Sequence, residues 1–350
     1  MEVYTISKTT HRREAIIEQF ESFIWTERYQ EHGDFQIVAE PSPENRSRLQ
    51  VGTFLGFDES TMIMIIDTVE KVEDSEGRLS LKVEGKSMSS IFEDRIAKNT
   101  FVDTDWVITG TPGSIISQMV TSICINGTGI SPYDVFDISI LDSTVQTDVY
   151  SIAIKPDTLY TRIKEVSELF NLGFRVIHNP GVGQTFEIYE GVDLTHDNGV
   201  VFSEEYDNLS NNTFLKTDRG YKNVAYITAK HGNLIVDANG IVNPTISGLE
   251  RRVIFIDATD IDENEGQALI DLLIDRGREE LSKYHKNALY DGVIDPQGVF
   301  KYNVDYRLGD IVLFKGEGEE KQDMRVVEYI HTYDQEGYRA YPTFSQIVYY

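Results

Sequence analysis

The first hundred residues consist mainly of short segments typical of β-strands, separated by turns, and this pattern restricts the fold more than any other feature. Segments 22–29 and 34–39 flank a tight turn in which Gly33 can adopt a positive φ. Segment 62–73 is rich in β-branched residues, and segment 79–86 alternates apolar and polar residues, as a half-buried strand does. Strands of this length at turn-marked intervals predict a closed antiparallel barrel or a sandwich.

The rest of the chain mixes helices and strands. A helix is predicted at 87–97, and an amphipathic helix is predicted from Asp157, as its cap, to Gly173, as its stop. A long helix is predicted within 258–287, with acidic residues in its first turn and basic residues near its end. The predicted order along the chain is therefore β, then α+β, then β, then a helix, then β.

The sequence is strongly acidic, with 58 acidic and 32 basic residues and a net charge of -26. The acids are spread along the whole chain, so the protein should repel nucleic-acid phosphates, with solubility alone as the other explanation of the charge. The single cysteine, Cys124, excludes a disulfide framework and a cysteine-based zinc site. No segment has the length of a signal-peptide core or a membrane span, so we expect a soluble protein that is not exported by a signal.

The sequence contains no recognisable motif for catalysis, cofactor binding or metal binding. It lacks a P-loop, a dinucleotide-binding glycine pattern, a G-x-S-x-G nucleophile motif and an H-E-x-x-H zinc motif. The one calcium-like string is the acidic segment 260–266, but Glu265 stands where an EF-hand loop requires glycine. We interpret this segment as the N-terminus of a helix, and binding of an ion there stays open. We therefore predict no catalytic residues, no cofactor and no metal site.

Four groups of residues, in order along the chain, resemble a known family. The first is the hairpin and the helix after it, with Trp25, Tyr29, Gly33, Asp34 and Phe35, then Gly85, Ser87, Asp94 and Arg95. The second continues into a strand, with Glu190, Gly191, Asp193, Thr195, Phe202, Ser203, Glu205, Asn208 and Leu209. The last two are a helix segment and the entry to the final β unit, with Arg276, Gly277, Glu280, Leu281, Tyr302, Asp305, Tyr306, Gly309 and Asp310.

These groups resemble the tail-hub proteins of siphophages, which lie where the tail tube meets the tail tip. The same family is related to the central baseplate hub of contractile-tailed phages. The resemblance covers nearly the whole chain. One position departs from the family pattern, because Val192 stands where a basic residue often precedes the aspartate, here Asp193. We therefore expect no contact from a basic side chain at this position.

The resemblance implies a mainly β fold with α+β insertions, built from two tail-tube-like antiparallel β-barrel domains and a peripheral α+β domain. In that arrangement the first barrel is 1–98 and the α+β insertion is 99–195. The second barrel is split into 196–245 and 296–350, and the helix-containing part of the peripheral domain is 246–295. The resemblance also implies a homotrimer, because three chains with two barrels each give six similar barrels that can stack on a sixfold tube.

The function implied by the resemblance is that of a structural virion protein rather than an enzyme. It would be made in the host cytoplasm and form the trimeric hub of the phage tail tip, lining the DNA channel. Its implied partners are a distal tail protein or tail-tube ring above, tail-tip, fibre or spike proteins below, and the tape measure protein in the lumen. Genomic DNA would pass without specific binding. Two alternatives stay open: a receptor- or carbohydrate-binding protein at the tail tip, and a cell-wall-degrading tail enzyme.

The hairpin residues are candidates either for core packing or for subunit contact. Trp25 and Tyr29 lie four apart on a strand, so both side chains point to the same face of the sheet. They fill the core of the first barrel or pack on a neighbouring subunit, and we favour the core. The other candidate fold or interface residues are Gly33, Asp34, Phe35, Asp94, Arg95, Gly191, Asp193, Asp305, Tyr306, Gly309 and Asp310.

Overall fold

The computed structural model describes residues 2–73, 75, 77–99, 106–129, 131–196, 199–259, 261, 267–284, 287–293, 298–315 and 322–346. These residues contain 21 β-strands and four α-helices, so the chain is mainly β, as predicted. It divides into two compact units, Met1–Asn212 with Asp291–Phe344, and Thr213–Tyr290 with Ser345–Tyr350. The predicted division into five segments is finer than this and stays a prediction. No helix in the described part is long and apolar enough to cross a membrane.

Most elements are short strands. Up to residue 189 they are β1 (Val3–Ile6), β2 (Arg13–Ile16), β3 (Phe20–Arg28), β4 (Asp34–Ala39), β5 (Phe54–Phe57), β6 (Met64–Glu73), β7 (Leu79–Ser87), β8 (Trp106–Gly110), β9 (Ser139–Asp142), β10 (Tyr150–Ile154), β11 (Gly173–Asn179) and β12 (Gly183–Tyr189). The later strands are β13 (Val201–Ser203), β14 (Ser210–Thr217), β15 (Val224–Ala229), β16 (Gly232–Asp237), β17 (Val253–Asp257), β18 (Asn287–Val293), β19 (Ile311–Lys315), β20 (Gln322–Asp334) and β21 (Gly337–Gln346). The α-helices are α1 (Pro43–Arg48), α2 (Pro112–Val120), α3 (Leu159–Leu169) and α4 (Gln267–Ser282).

One long sheet dominates the first unit. Its strands lie in the order β21-β20-β3-β4-β7-β6-β5-β1-β2, and β19 and β13 branch from β20. From β20 to β2 every neighbouring pair is antiparallel. The path of the described strands does not close on itself, so closure of the two β units into barrels stays a prediction.

The predicted hairpin is confirmed. β3 and β4 pair antiparallel, with Trp25 opposite Phe35. The expected positive φ at Gly33 is wrong, since this residue is not among those in the left-handed region. Glycine is required there by close approach instead, because a Cβ at Gly33 would lie 2.2 Å from the carbonyl oxygen of Thr26. The Gly33 amide also donates to the Ser87 hydroxyl over 2.9 Å, which ties the turn to the end of β7.

The predicted amphipathic helix is α3, but its ends differ from the prediction. The cap is Thr158 rather than Asp157, because the Thr158 hydroxyl accepts a hydrogen bond from the Thr161 amide over 3.1 Å. The Asp157 carboxylate instead accepts from the Thr158 amide over 2.6 Å. After the helix the chain turns at Asn171, which has a φ of 54°. Gly173 therefore does not end the helix and begins β11 instead.

The other helices depart further from the sequence pattern. The helix predicted at 87–97 is a 3₁₀-helix that spans only Met88–Asp94. The long helix predicted within 258–287 is α4. The acidic segment 260–266 lies outside the described residues, except Ile261, and so do the cap residues predicted within it. The short helix α1 is not predicted by the sequence.

Between β7 and β13 the described chain contains both helices and strands. β8 pairs with β10, and β11, β12 and β9 form a three-stranded sheet. α2 and α3 share one buried core with these strands, to which Ile115, Met119, Ile163 and Phe174 contribute. This core belongs to the first unit.

The second unit contains a sheet and one long helix. β15 is the central strand, antiparallel to β16 and parallel to β17. Buried side chains of the sheet, such as Ala225 and Ile227, share a core with Leu269 and Leu273 of α4. α4 therefore covers one face of this sheet.

Trp25 tests whether the hairpin side chains stabilise the single chain. The Trp25 side chain is fully buried, and its ring lies 5.7 Å from the Phe57 ring and 6.1 Å from the Phe35 ring. We predict that Trp25→Ala lowers the free energy of unfolding by about 3–5 kcal/mol, because removing a buried ring leaves a cavity. Denaturant unfolding of the isolated protein measures this loss.

The matched control is Ile24→Ala, since Ile24 lies on the opposite face of β3 and is 38% exposed. This change should alter the free energy of unfolding by less than about 1 kcal/mol. The core interpretation of Trp25 is wrong if Trp25→Ala leaves the melting of the isolated chain unchanged and abolishes assembly instead.

Candidate functional site

Tyr29 lies where several distant segments meet. It directly follows β3, and its hydroxyl donates a hydrogen bond to the carbonyl of Asn171 over 2.6 Å. The same hydroxyl accepts from the amide of Gly191 over 3.3 Å. The ring lies against the backbone of Gly173 and Gly309. We call Tyr29, Gly173, Gly191, Gly309 and Asp310 the Tyr29 junction.

The three glycines of the Tyr29 junction are required by close approach. A Cβ at Gly173 or at Gly309 would lie 2.2 Å from the Tyr29 ring, and Gly309 also has a φ of +90°. A Cβ at Gly191 would lie 1.8 Å from the carbonyl oxygen of Gly309. A larger residue at these positions requires a movement of the Tyr29 ring or, at Gly191, of the Gly309 backbone, so the junction is closely packed.

Asp310 binds the segment after Gly191 and the turn before Gly309 through their backbone amides. Its carboxylate is buried, and its two oxygens accept from the amide of Val192 over 2.7 Å and from the amide of Arg307 over 2.9 Å. Burial raises the pKa of the Asp310 carboxyl, and these two hydrogen bonds oppose that rise. The contact at Val192 uses the backbone, so the missing basic side chain at that position leaves it intact.

Asp193 and Asp305 make local contacts instead. The Asp193 carboxylate accepts from both the amide and the hydroxyl of Thr195, over 2.9 Å and 2.7 Å, and these hydrogen bonds lower its pKa. The Asp305 carboxylate accepts from the amide of Lys301 over 2.8 Å. Both aspartates therefore stabilise turns in their own segments.

Asp34 lies in a separate ion-pair group on the hairpin. Arg28 donates to Asp34 over 2.5 Å and to Glu328 of β20 over 2.6 Å. This arginine therefore links the hairpin to the last part of the chain.

Asp94 is the last residue of the 3₁₀-helix, and Arg95 is its C-cap. The Arg95 guanidinium donates to the backbone carbonyls of Asp134 and Asp94, over 3.2 Å and 3.1 Å, and lies 6.0 Å from the Phe136 ring. Whether these residues, or those of the hairpin and the Tyr29 junction, also contact another subunit stays a prediction.

A buried polar cluster lies beside the Tyr29 junction, and sequence reasoning missed most of it. The Glu27 carboxylate is buried and accepts from the Tyr302 hydroxyl over 2.7 Å. The Tyr302 ring stacks on the Tyr329 ring with centroids 3.8 Å apart. His331 lies 4.8 Å from the Tyr329 ring, and its Nδ1 is 2.6 Å from the Tyr338 hydroxyl. We call these five residues the buried polar cluster.

Tyr306, a residue that the resemblance had indicated, packs at the border of this cluster. Its ring is buried, 5.8 Å from the Tyr302 ring and 5.1 Å from the Phe202 ring. One signal for the cluster was present in the sequence. Glu27 lies on the same strand face as Phe23 and Trp25, so an acid occupies a core position of the alternating pattern.

Burial governs the protonation of the cluster. It raises the pKa of the Glu27 carboxyl, while the hydrogen bond from Tyr302 opposes that rise. Burial also lowers the pKa of the His331 imidazole to about 3. Both side chains are therefore biased towards their uncharged forms inside the first unit.

The described residues present no group of three or more histidine, cysteine or acidic side chains that could bind a metal ion. Both oxygens of the Asp310 carboxylate and one oxygen of the Glu27 carboxylate accept hydrogen bonds from donors of the same chain. These backbone and side-chain hydrogen bonds hold segments together that are distant in sequence.

The sequence matches the model of the Siphovirus ReqiPepy6 Gp37-like protein family over residues 1–344. The chain therefore belongs to this family. The predicted relationship to siphophage tail proteins is confirmed. No curated protein sequence matches the chain.

Solved structures of tail proteins share the fold over nearly the whole chain. The 43 kDa tail protein of prophage MuSo2 from Shewanella oneidensis is 12% identical with a TM-score of 0.64, over 99% of this chain and 98% of that chain. The tail protein from Neisseria meningitidis MC58 is 11% identical with a TM-score of 0.62, over 99% and 96%. The prophage tail protein gp18 from Listeria monocytogenes EGD-e is 12% identical with a TM-score of 0.53, over 99% and 95%.

Gly309 tests the close packing of the Tyr29 junction. We predict that Gly309→Ala destabilises the protein, because the new methyl group meets both an unfavourable φ and the Tyr29 ring. Gly337→Ala is the control, since Gly337 has a φ of +102° with no atom within 4 Å of its Cβ position. Gly309→Ala should lower the free energy of unfolding by about 2 kcal/mol more than the control. Equal losses in chemical denaturation would contradict the packing argument.

His331 tests the electrostatics of the buried polar cluster. Burial lowers its pKa to about 3 in the folded chain, whereas an unperturbed histidine has a pKa of about 6.5. Its contribution to stability is therefore fully present above pH 6.5 and is lost as the pH falls towards 3, by about 1.4 kcal/mol per pH unit. Between pH 6 and about pH 4 the free energy of unfolding of the wild type should therefore depend on pH more steeply than that of His331→Phe. We predict a difference of about 1.4 kcal/mol per pH unit, the effect of one bound proton. Denaturant unfolding at several pH values measures both slopes, and identical slopes would rule out a buried neutral imidazole.

Proposed function

We propose that the chain is the hub of a phage tail tip, forming a homotrimer that joins the sixfold tail tube to the threefold tip. The observation that supports this most directly is the antiparallel pairing of β3 with β20, residues 23–28 with 328–333, in a chain with the fold of tail proteins. Strand β3 belongs to the first predicted β unit and β20 to the second.

This pairing places β3 of the first predicted β unit and β20 of the second in one sheet, while β15 and β16 belong to a separate sheet. Trp25 lies opposite His331 in the register, and the ion pair of Arg28 with Glu328 spans the same two strands. In this proposal the β3–β20 pair would hold the two β units of each chain side by side. Three such chains would present six similar β units around a threefold axis, which is what a sixfold tube requires of a threefold adaptor. Each β unit would be a tail-tube-like barrel, with the α+β parts at the periphery.

The net charge of -26 fits a channel for DNA. A negative wall repels phosphates and lets the genome pass without sticking. In this proposal a distal tail protein or tube ring binds above, tip, fibre or spike proteins bind below, and the tape measure protein occupies the lumen of the virion. The role is structural and involves no catalysis.

The carbohydrate-binding alternative has less support. Sugar stacking needs exposed aromatic rings. In this chain Trp25, Tyr29, Tyr189 and Tyr329 are nearly inaccessible, as are many of the phenylalanines, whereas a smaller number of rings, such as Tyr133, are exposed. The aromatic residues of the first unit therefore serve mainly as core.

Symmetry tests the proposal. In electron micrographs of assembled tails that carry a tagged copy of this chain, we predict the tag at the tip end of the tube in threefold arrangement. Mass photometry of the purified protein with its tail neighbours should give three copies per complex. A hub density of any other symmetry, or a tag on the tube shaft, would overturn the proposal.

A further inference from the structure

β17 is one of the two edge strands of the described sheet in the second unit. Among the described residues it pairs only with β15. The Ala258 amide donates to the carbonyl of Thr228 over 2.8 Å, and the Arg252 carbonyl accepts from the Asn223 amide over 3.0 Å. The backbone N–H and C=O groups of the even-numbered residues, 252 to 258, are therefore directed towards β15. Because the direction of the backbone groups alternates along a strand, residues 253, 255 and 257 direct their N–H and C=O groups to the other side.

The face of this sheet opposite α4 carries exposed apolar side chains. Phe255 is 64% exposed and Val253 is 42% exposed. The Phe255 ring stacks beside the Tyr226 ring with centroids 6.2 Å apart. Protein sheets usually protect an edge strand with charges, proline or a bulge, and residues 253–256 contain neither a charge nor a proline. An edge of this kind is a template for another strand.

The sequence of this edge is complementary to itself. When two copies run antiparallel with Ile254 opposite Ile254, each Arg251 lies opposite Asp257 and each Val253 lies opposite Phe255. Opposite charges and apolar pairs directly across antiparallel strands stabilise a sheet. This register also uses the N–H and C=O groups that point away from β15. A register centred on Phe255 would place Val253 opposite Asp257 and lose both kinds of pair.

The two charged residues are already positioned at opposite ends of the strand. The Arg251 guanidinium donates to the carbonyl of Ile246 over 2.9 Å. The Asp257 carboxylate accepts from the amide of Thr259 over 3.0 Å. These contacts hold a positive charge before β17 and a negative charge at its end.

We propose that the β17 edge binds β17 of a second copy of this chain, antiparallel and centred on Ile254, to form a continuous six-stranded sheet. The contact is twofold, and a twofold contact cannot lie inside a threefold ring. It therefore joins unassembled chains or chains of two different hubs, and it is independent of the proposed trimer.

Cysteine cross-linking tests the register. Under mild oxidation Ile254→Cys should give a covalent dimer on a non-reducing gel, because residues facing each other at this type of position have Cα atoms about 4.5 Å apart. Val253→Cys is the matched control, since its two copies would lie roughly 8 Å apart, beyond disulfide reach. The native Cys124 does not interfere, because it is buried and burial raises the pKa of its thiol to about 12.

Charge reversal tests the same contact without a covalent bond. Asp257→Lys should weaken dimerisation in sedimentation equilibrium by about tenfold, because two attractions become repulsions. Adding Arg251→Glu to this variant should restore the dimer, and circular dichroism should show that each variant is folded.

The proposal is overturned if folded Ile254→Cys stays monomeric, if Val253→Cys cross-links equally fast, or if the wild-type chain shows no dimer at any concentration. None of these results bears on the threefold arrangement in tails, so the two proposals fail separately.

Discussion

The backbone pairing of β3 with β20 is the interaction on which the rest of the first unit depends. It joins segments about as far apart as the chain allows, and the Arg28 to Glu328 contact across it spans 300 residues. Closing so long a loop costs entropy that only many simultaneous contacts can offset. The aromatic rings of the hairpin and the buried polar cluster provide such contacts together on one face of the two strands. Glu27 shares the face of Trp25, and His331 lies opposite Trp25 on β20.

The Tyr29 junction extends this pairing to the α+β part. The Tyr29 amide donates to the carbonyl of Val327 over 3.0 Å, and its carbonyl accepts from the amide of Phe174 over 3.1 Å. Its side chain then reaches Asn171 and Gly191. A single residue at the end of β3 is therefore bonded to β20, to β11 and to the segment before β13. A shift of β3 against β20 would move all of these contacts together, so the junction makes the unit cooperative rather than a set of independent sheets.

Local features of this fold could be predicted from the sequence, whereas the long-range contacts could not. The hairpin, the other early strands and α3 follow from period-two and period-3.6 patterns, which act within a few residues. The exact cap of α3 depended on which of two adjacent polar side chains reaches the third amide, and the pattern does not distinguish Asp157 from Thr158. The resemblance indicated Tyr29, Gly191, Gly309 and Asp310 as separate positions. Their meeting at one junction depends on tertiary structure.

The sequence also could not show why particular residues are required at their positions. Gly33 suggested a left-handed turn, but it is required because the carbonyl of Thr26 leaves no space for a Cβ. Glu27 and its partner Tyr302 are 275 residues apart, so only the fold shows that this acid has a donor.

Charged residues at the sheet edges decide which strands can pair there. Arg13 of edge strand β2 binds Glu2 and Asp58, at 2.8 Å and 2.9 Å, and these charges oppose pairing with an arbitrary strand. β17 has charges only at its ends, where they select one register. Since the net charge repels copies at long range and is screened within about 8 Å at physiological salt, only such short-range complementarity can bring two copies together.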